Sequence, residues 1–300
     1  MSRRYARREA TLGLMLFLSL AGGCVSGEAA TGMAADGPLG LGLVSPSRDE
    51  FGLSGGIEDA ENRFRSAVQI EIGSGLCSGV LIARRLVLTA AHCFCWPSGP
   101  SVRSMDKTAC KKNVVVESVL YRSREGVEPW VDRTGGTVVV HEGFRSELDV
   151  AGGRLFVKSK VADLAVIYLE KELANTSWDN KLREAEVLLN DEVTVVGYGA
   201  VADEPALKGI RRFGSNVVAE LRLSNDRKGR EIRFRFPGAH THRGDSGGPC
   251  FLEEKGTRYL VGINGGYVSQ GATESWFTST SSYRDWIAKQ IEEAKKRETS

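Results

Sequence analysis

Three short segments of this 300-residue chain carry side chains that can do chemistry together. Thr89-Ala90-Ala91-His92-Cys93 offers an imidazole, and Ala162-Asp163-Leu164-Ala165-Val166 offers a carboxylate at the head of an apolar run. Arg243-Gly244-Asp245-Ser246-Gly247-Gly248-Pro249 offers a hydroxyl flanked by glycines. A serine hydroxyl is a weak nucleophile at neutral pH and needs a base within hydrogen-bond reach. Histidine titrates near neutrality, so His92 can take that proton and return it to a leaving group. A buried Asp163 would hold the imidazole in one tautomer and stabilise its cationic form. The glycines allow a tight turn in which the amides of Gly244 and Ser246 point at one spot, where an oxyanion would form. Singly, these residues read as a packed core histidine, a turn aspartate and an ordinary loop. Together and in this order they point to acyl transfer, which needs no cofactor.

The elements that must position them are strands. From Ala67 onward the chain runs in short stretches rich in Val, Ile, Leu and Thr, among them Ala67–Ile72, Val80–Ile82, Leu86–Thr89, Val114–Tyr121, Thr137–Val140 and Leu164–Leu169. Glu192–Val196, Ile232–Phe236, Tyr259–Ile263 and Trp276–Thr280 continue the series, with Gly, Asp, Asn and Ser between many of them. Repeated short strands predict an all-β barrel or sandwich, and no helical period alternates with them as a parallel α/β fold would need. One helix closes the chain over Tyr283–Lys296, with Trp286, Ile287, Ile291 and Ala294 on one face.

Composition narrows the class further. Hydrophobic residues at 41% and charged residues at 26% exclude a polytopic membrane protein, a disordered chain and a coiled coil. A net charge of +2 without a basic patch gives no argument for nucleic acid. Arg3, Arg4, Arg7 and Arg8, the apolar run Thr11–Ala21 and the small residues after it read as a secretory signal peptide over residues 1–23. Leu20-Ala21-Gly22-Gly23-Cys24 is similar to a bacterial lipoprotein signal, so two outcomes stand open: lipidation of Cys24 with membrane attachment, or ordinary cleavage nearby. Residues 24–52 read as a flexible tether or pro-segment, and residues 53–300 as the folded domain. An exported chain permits disulfides, and Cys93-x-Cys95 lacks the second ligand pair that a zinc site needs, so no metal is expected.

The motifs resemble the trypsin/chymotrypsin family of serine endopeptidases. TAAHC and GDSGGP match that family's His and Ser motifs without a gap, and ADLAVIYL is similar to its Asp motif. Cys77–Ile82, His141–Phe144, Val196–Gly199 and the closing Tyr283–Ile287 extend the likeness over about residues 53–297. The resemblance implies two packed six-stranded antiparallel β-barrels with a C-terminal helix and a protein or peptide substrate in the cleft between them. His92 and Asp163 would come from the first barrel and Ser246 from the second. It also implies a Cys77–Cys93 disulfide.

Departures from the family pattern are as informative. Leu53-Ser54-Gly55-Gly56 stands where the family's mature N-terminus has Ile-Val-Gly-Gly. In the family, a freed amino group there pairs with the Asp before the nucleophile, here Asp245. Either Leu53 is freed by another protease, or Asp245 finds a different partner. The 71 positions from His92 to Asp163 exceed the family's usual gap, with insertions expected in Phe94–Lys112 and Arg145–Lys160. Cys95 and Cys110 bracket the first insertion and are expected to staple it, leaving Cys250 as a buried free thiol. Asp149, in the second insertion, is a rival carboxylate. Asp163 is preferred because an apolar strand follows it.

The specificity pocket implied by the resemblance is formed by His240, Thr241, Asn264, Gly265, Gly266 and Tyr267. His240 stands where trypsin-like members carry an Asp, and His242 replaces a Cys. Protonated, His240 and His242 would favour an acidic substrate side chain; alternatively they fill space. An exported serine endopeptidase is the leading reading. The alternatives are a catalytically silent binding protein of the cell envelope that keeps the fold, and an anchored protein in which the fold is structural.

Overall fold

Alternation of apolar and polar residues in short strands, broken by tight turns, builds two closed barrels. The structure, a computed structural model, describes residue 53 and residues 56–73, 75–96, 103–122, 128–151, 154–200, 209–235, 237–268 and 274–299. All of these belong to one unit, Ser47–Ser300. The expected signal peptide and the whole of the expected tether lie outside the described residues.

In chain order the strands are β1 (Ile57–Glu58), β2 (Ala67–Ile72), β3 (Gly75–Ala83), β4 (Leu86–Thr89), β5 (Ser104–Asp106), β6 (Asn113–Leu120), β7 (Trp130–Val140), β8 (Arg145–Ala151) and β9 (Arg154–Val161). They continue with β10 (Ala165–Leu169), β11 (Lys181–Leu182), β12 (Glu192–Gly197), β13 (Arg212–Leu223), β14 (Arg230–Arg235), β15 (Pro249–Glu254), β16 (Thr257–Val268) and β17 (Glu274–Ser279). A 3-10 turn at Ser281–Tyr283 leads into α1 (Arg284–Thr299).

The first barrel closes in the order β10-β4-β3-β2-β6-β7, with β7 back on β10. Val68, Ile70, Leu81, Val87, Val116 and Ile167 are buried in its core, and the strand register sets them on one face of the sheet. The second closes in the order β13-β12-β15-β16-β17-β14, because β14 pairs again with β13. Val195, Val218, Ile232, Phe234 and Phe277 fill it. Both six-stranded antiparallel barrels and the C-terminal helix match the sequence expectation. The helix buries Ile287 and Ala294, with Trp286 and Ile291 packed partly beside them.

Both expected insertions are present, and they pair with each other. β5 from the first lies on β8, and β8 and β9 form the hairpin of the second. Cys95–Cys110 staples the first insertion, and Cys77–Cys93 ties β3 to the turn after β4. Closing a loop of this length contributes roughly 3 kcal/mol in the chain-entropy model. Cys250 is the free cysteine of the folded domain and is fully buried on β15.

A buried ion pair joins the barrels. Arg211, 1% exposed, donates to Asp59 at 2.6 Å, to the Val119 carbonyl on β6 at 2.9 Å and to the Tyr198 hydroxyl at 3.1 Å. The Tyr198 hydroxyl in turn donates to the Ala67 carbonyl on β2 at 3.0 Å. Removing one partner of such a pair strands the other charge away from water. Asp59→Ala is therefore expected to destabilise the domain by about 3–5 kcal/mol, read as a lower urea midpoint with an unchanged slope.

Candidate active site

Strand β4 delivers His92. After Thr89, whose hydroxyl donates to the Ser78 carbonyl at 2.8 Å, the chain makes a 3-10 turn over Ala91–Cys93. The Cys77–Cys93 disulfide holds that turn against β3. Asp163 sits at the head of β10 in a three-residue turn closed by Leu164 N–H on the Ala162 carbonyl at 2.7 Å. Ala162 adopts φ +47°, a left-handed conformation unusual for a residue with a side chain.

The two side chains lock together. The backbone N–H of His92 donates to Asp163 Oδ1 at 2.8 Å, and His92 Nδ1 lies 2.7 Å from Oδ2. An ionised carboxylate only accepts, so Nδ1 carries the proton in this pair. Asp163 is 3% exposed. Burial alone would raise its pKa, but the charges of His92 and Lys160 and the His92 hydrogen bonds hold it well below the usual carboxylate range. For His92, burial is the main cause of a pKa below the ordinary 6.5; the Asp163 charge opposes the fall and Lys160 adds to it. Asp149 lies exposed on β8, and Asp163 is the carboxylate on His92.

Ser246 comes from the turn before β15. Its carbonyl accepts from Ser78 N–H on β3 at 2.8 Å, and its neighbours are pinned by Gly247 N–H on the Asn264 carbonyl and Asn264 N–H on the Gly248 carbonyl, both at 2.9 Å. Gly247 has φ +80°, and an added Cβ would meet Thr89 Oγ1 at 2.1 Å and the Ser78 carbonyl at 2.4 Å. The glycine is what lets this loop close on the first barrel. His92 and Ser246 line the same cleft of about 680 Å³, together with Leu76, Cys77, Trp96 and Lys111. Among the described residues the Ser246 hydroxyl makes no hydrogen bond to His92, and the N–H groups of Gly244 and Ser246 make none either. Catalytic hydrogen bonds commonly tighten only when substrate is bound.

Asp245 points inward, 1% exposed, accepting from His242 N–H at 2.8 Å and Gly199 N–H at 2.7 Å. Burial pushes its pKa up to about 6, against the lowering effect of those hydrogen bonds and of the Arg212 charge.

Near the loop, His240, Thr241 and Asn264 form a buried polar cluster with Ser275 on β17. The Thr241 hydroxyl lies 3.1 Å from the Ser275 hydroxyl and 3.3 Å from Asn264 Oδ1. His240 Nδ1 lies 3.3 Å from Ser275 Oγ, while His240 Nε2 and Asn264 Nδ2 have no partner among the described residues. Burial pushes the His240 pKa below its ordinary value, which favours the neutral ring at pH 7 and counts against the expected attraction for acidic side chains there. Tyr267 stacks on His242 at 5.2 Å. Gly265 and Gly266 pack against Trp276, and a Cβ on either would strike that ring. Ser275, Trp276 and Lys160 were not visible as site residues in the sequence. Each lies on a strand whose neighbours only the fold reveals.

The family model described as Trypsin matches residues 53–287. The chain belongs to the trypsin family. Among curated members, spermosin of Halocynthia roretzi is 25% identical over 243 residues, covering 75% of this chain and 58% of that protein. Venom serine protease 34 of Apis mellifera is 24% identical over 269 residues, covering 84% of this chain and 61% of that protein. The chain thus spans about three fifths of the length of these trypsin-family relatives, both of them animal proteins. A mutant of human heparin binding protein shares the fold with a TM-score of 0.51 at 19% identity, over 79% of this chain and 96% of that one.

The buried Asp245 has a consequence for stability. Its folded pKa of about 6 exceeds its ordinary 3.8, so the folded state holds a proton that the unfolded state releases. In chain uncut ahead of Leu53, stability should therefore fall as pH rises from about 4 to about 6, by roughly 2–3 kcal/mol in all. Asp245→Asn should flatten that fall, as measured by urea denaturation at pH 4, 5, 6 and 7.

Proposed function

We propose that this trypsin-family chain is an exported serine endopeptidase that hydrolyses peptide bonds through an acyl-enzyme on Ser246. The observation that carries the reading is the pair of contacts from Asp163 to His92, to the backbone N–H and to Nδ1, with His92 and Ser246 sharing one cleft. With Nδ1–H held by the carboxylate, Nε2 is left as the basic nitrogen.

The steps follow from that arrangement. Ser246 Oγ attacks the substrate carbonyl carbon while His92 Nε2 takes the hydroxyl proton. The carbonyl oxygen becomes an oxyanion and receives the N–H groups of Gly244 and Ser246. The intermediate collapses, the C–N bond breaks, and the His92 proton goes to the leaving amine. Water then attacks the acyl-enzyme with His92 again as base, releasing the acid and restoring Ser246. Asp163 stays ionised throughout and stabilises the imidazolium.

Cleavage ahead of Leu53 completes the proposal. Leu53, 1% exposed, packs in the core of the second barrel with Val193, Val195 and Ala239. Its freed amino group would give Asp245 a direct ion pair, where among the described residues it has only two backbone N–H donors and the more distant Arg212 charge. Two disulfides fit an oxidising compartment, in line with a signal peptide over residues 1–23 and, if Cys24 is lipidated, a membrane-attached form of bacterial type.

A fluorophosphonate probe should label the mature protein, and Ser246→Ala should abolish the label. Correctly processed protein that stays unlabelled would instead favour the silent binding protein. Asp163→Asn should fold normally yet lose roughly four orders of magnitude in kcat; near-normal turnover would overturn its assignment. N-terminal sequencing of active protein should return Leu-Ser-Gly-Gly, and residues upstream of Leu53 would rule out the activation step.

A further inference from the structure

Lysine side chains normally keep their ammonium groups in water, but Lys160 does not. Its side chain, near the end of β9, is only 10% exposed, and its Nζ lies 3.4 Å from Asp163 Oδ2. Nζ also donates to the Gly265 carbonyl on β16 at 2.6 Å. The same carboxylate oxygen therefore meets the His92 imidazole at 2.7 Å and an ammonium at 3.4 Å. Glycine at position 265 leaves its carbonyl accessible, and Trp276 packs over the space a side chain would take. The gap enclosed by Lys160, Asp163, Gly265, Trp276 and Tyr283 is about 10 Å³, room for no more than a single water. Bulk solvent therefore screens the Lys160–Asp163 pair poorly there, while His92 keeps one side on the open cleft.

We infer that Lys160 is a positioning residue whose ammonium is a built-in counter-charge to Asp163 and sets the pH at which His92 takes up a proton. An imidazolium beside a lone carboxylate is strongly favoured. Beside a carboxylate already paired with an ammonium it is favoured less, so His92 remains a free base to lower pH. The neighbouring charges do not substitute for this contact. Arg230 and Glu231 of β14 border the same gap with opposite signs, the Tyr283 hydroxyl is neutral, and Lys111 stands on the cleft side of His92. Burial pushes the Tyr283 pKa up to about 12, so that hydroxyl keeps its proton.

The test is a pH titration of His92 by NMR in the folded chain. The sequence has four histidines, and His92→Ala identifies the signal. Lys160→Met keeps the length and removes the charge, and it should raise the His92 midpoint by about one pH unit. Lys160→Arg should leave the midpoint near that of the natural chain. Lys160→Gln serves if the Met variant fails to fold. An unchanged midpoint in the neutral variants, or a shift in the Arg variant equal to theirs, overturns the inference. The hydrolytic reading enters only in the second readout, the pH dependence of fluorophosphonate labelling at Ser246. Its acid limb should move with the His92 midpoint, so that labelling two units below the natural midpoint is about tenfold slower in Lys160→Met. If the natural chain is unlabelled at every pH, the hydrolytic reading fails and the NMR titration still decides the role of Lys160.

Discussion

A carboxylate taken out of water stays ionised only if donors are waiting for it, and the site depends on how Asp163 is supplied with them. Two come from one residue, the N–H and the ring of His92, so orienting the acid and orienting the base are a single event. Beside them stands a counter-charge, an ammonium from a hairpin that the barrel does not need for closure. Each of these groups is fixed by something else: His92 by the disulfide to β3, Lys160 by the Gly265 carbonyl. Displacing any one of them would leave part of the charge uncompensated where the surroundings cannot solvate it.

Ser246 arrives from the other barrel, so the angle between barrels matters as much as either fold. Ser78 is the hinge pin of that arrangement. Its N–H holds the Ser246 carbonyl, its hydroxyl donates to the Gly244 carbonyl at 2.9 Å, and the same hydroxyl accepts from Tyr198 N–H at 3.0 Å. One small side chain on β3 thereby fastens the serine loop and the exit of β12 to the first barrel. Tyr198 and Arg211 extend the joint through the Ala67 and Val119 carbonyls.

Much of this was legible in the residues, and what was not has physical reasons. Strands with dense β-branched and apolar runs, such as β2, β4 and β10, stood out. β13 did not, because its sequence RFGSNVVAELRL offers few buried positions and one largely solvated face. β8 and β9 read as insertion because they pair with each other and, through β8, with β5 in a different insertion, and pairing across such a distance leaves no local mark. Both disulfides followed from motif and bracketing. The histidine and its acid were found because their motifs are local. Lys160 escaped because a lysine in a polar hairpin looks like surface, and only the approach of β16 turns it inward. Ser275 was likewise hidden, a small residue whose importance lies in facing Thr241 and His240 across two strands.

Cys250 carries a lesson about assembly rather than catalysis. Once β15 is seated between β12 and β16, the thiol has no exposed surface, and desolvation drives its pKa far above neutrality. It then lacks the thiolate needed for exchange with the two bridges. Before that strand is seated, the five cysteine sulfurs of residues 53–300 compete and only one pairing scheme suits the barrels. The order of events during oxidative refolding, second barrel closed before oxidant acts or after, therefore sets the yield of correctly bridged protein, and a mild thiol buffer would serve the chain better than a strong oxidant.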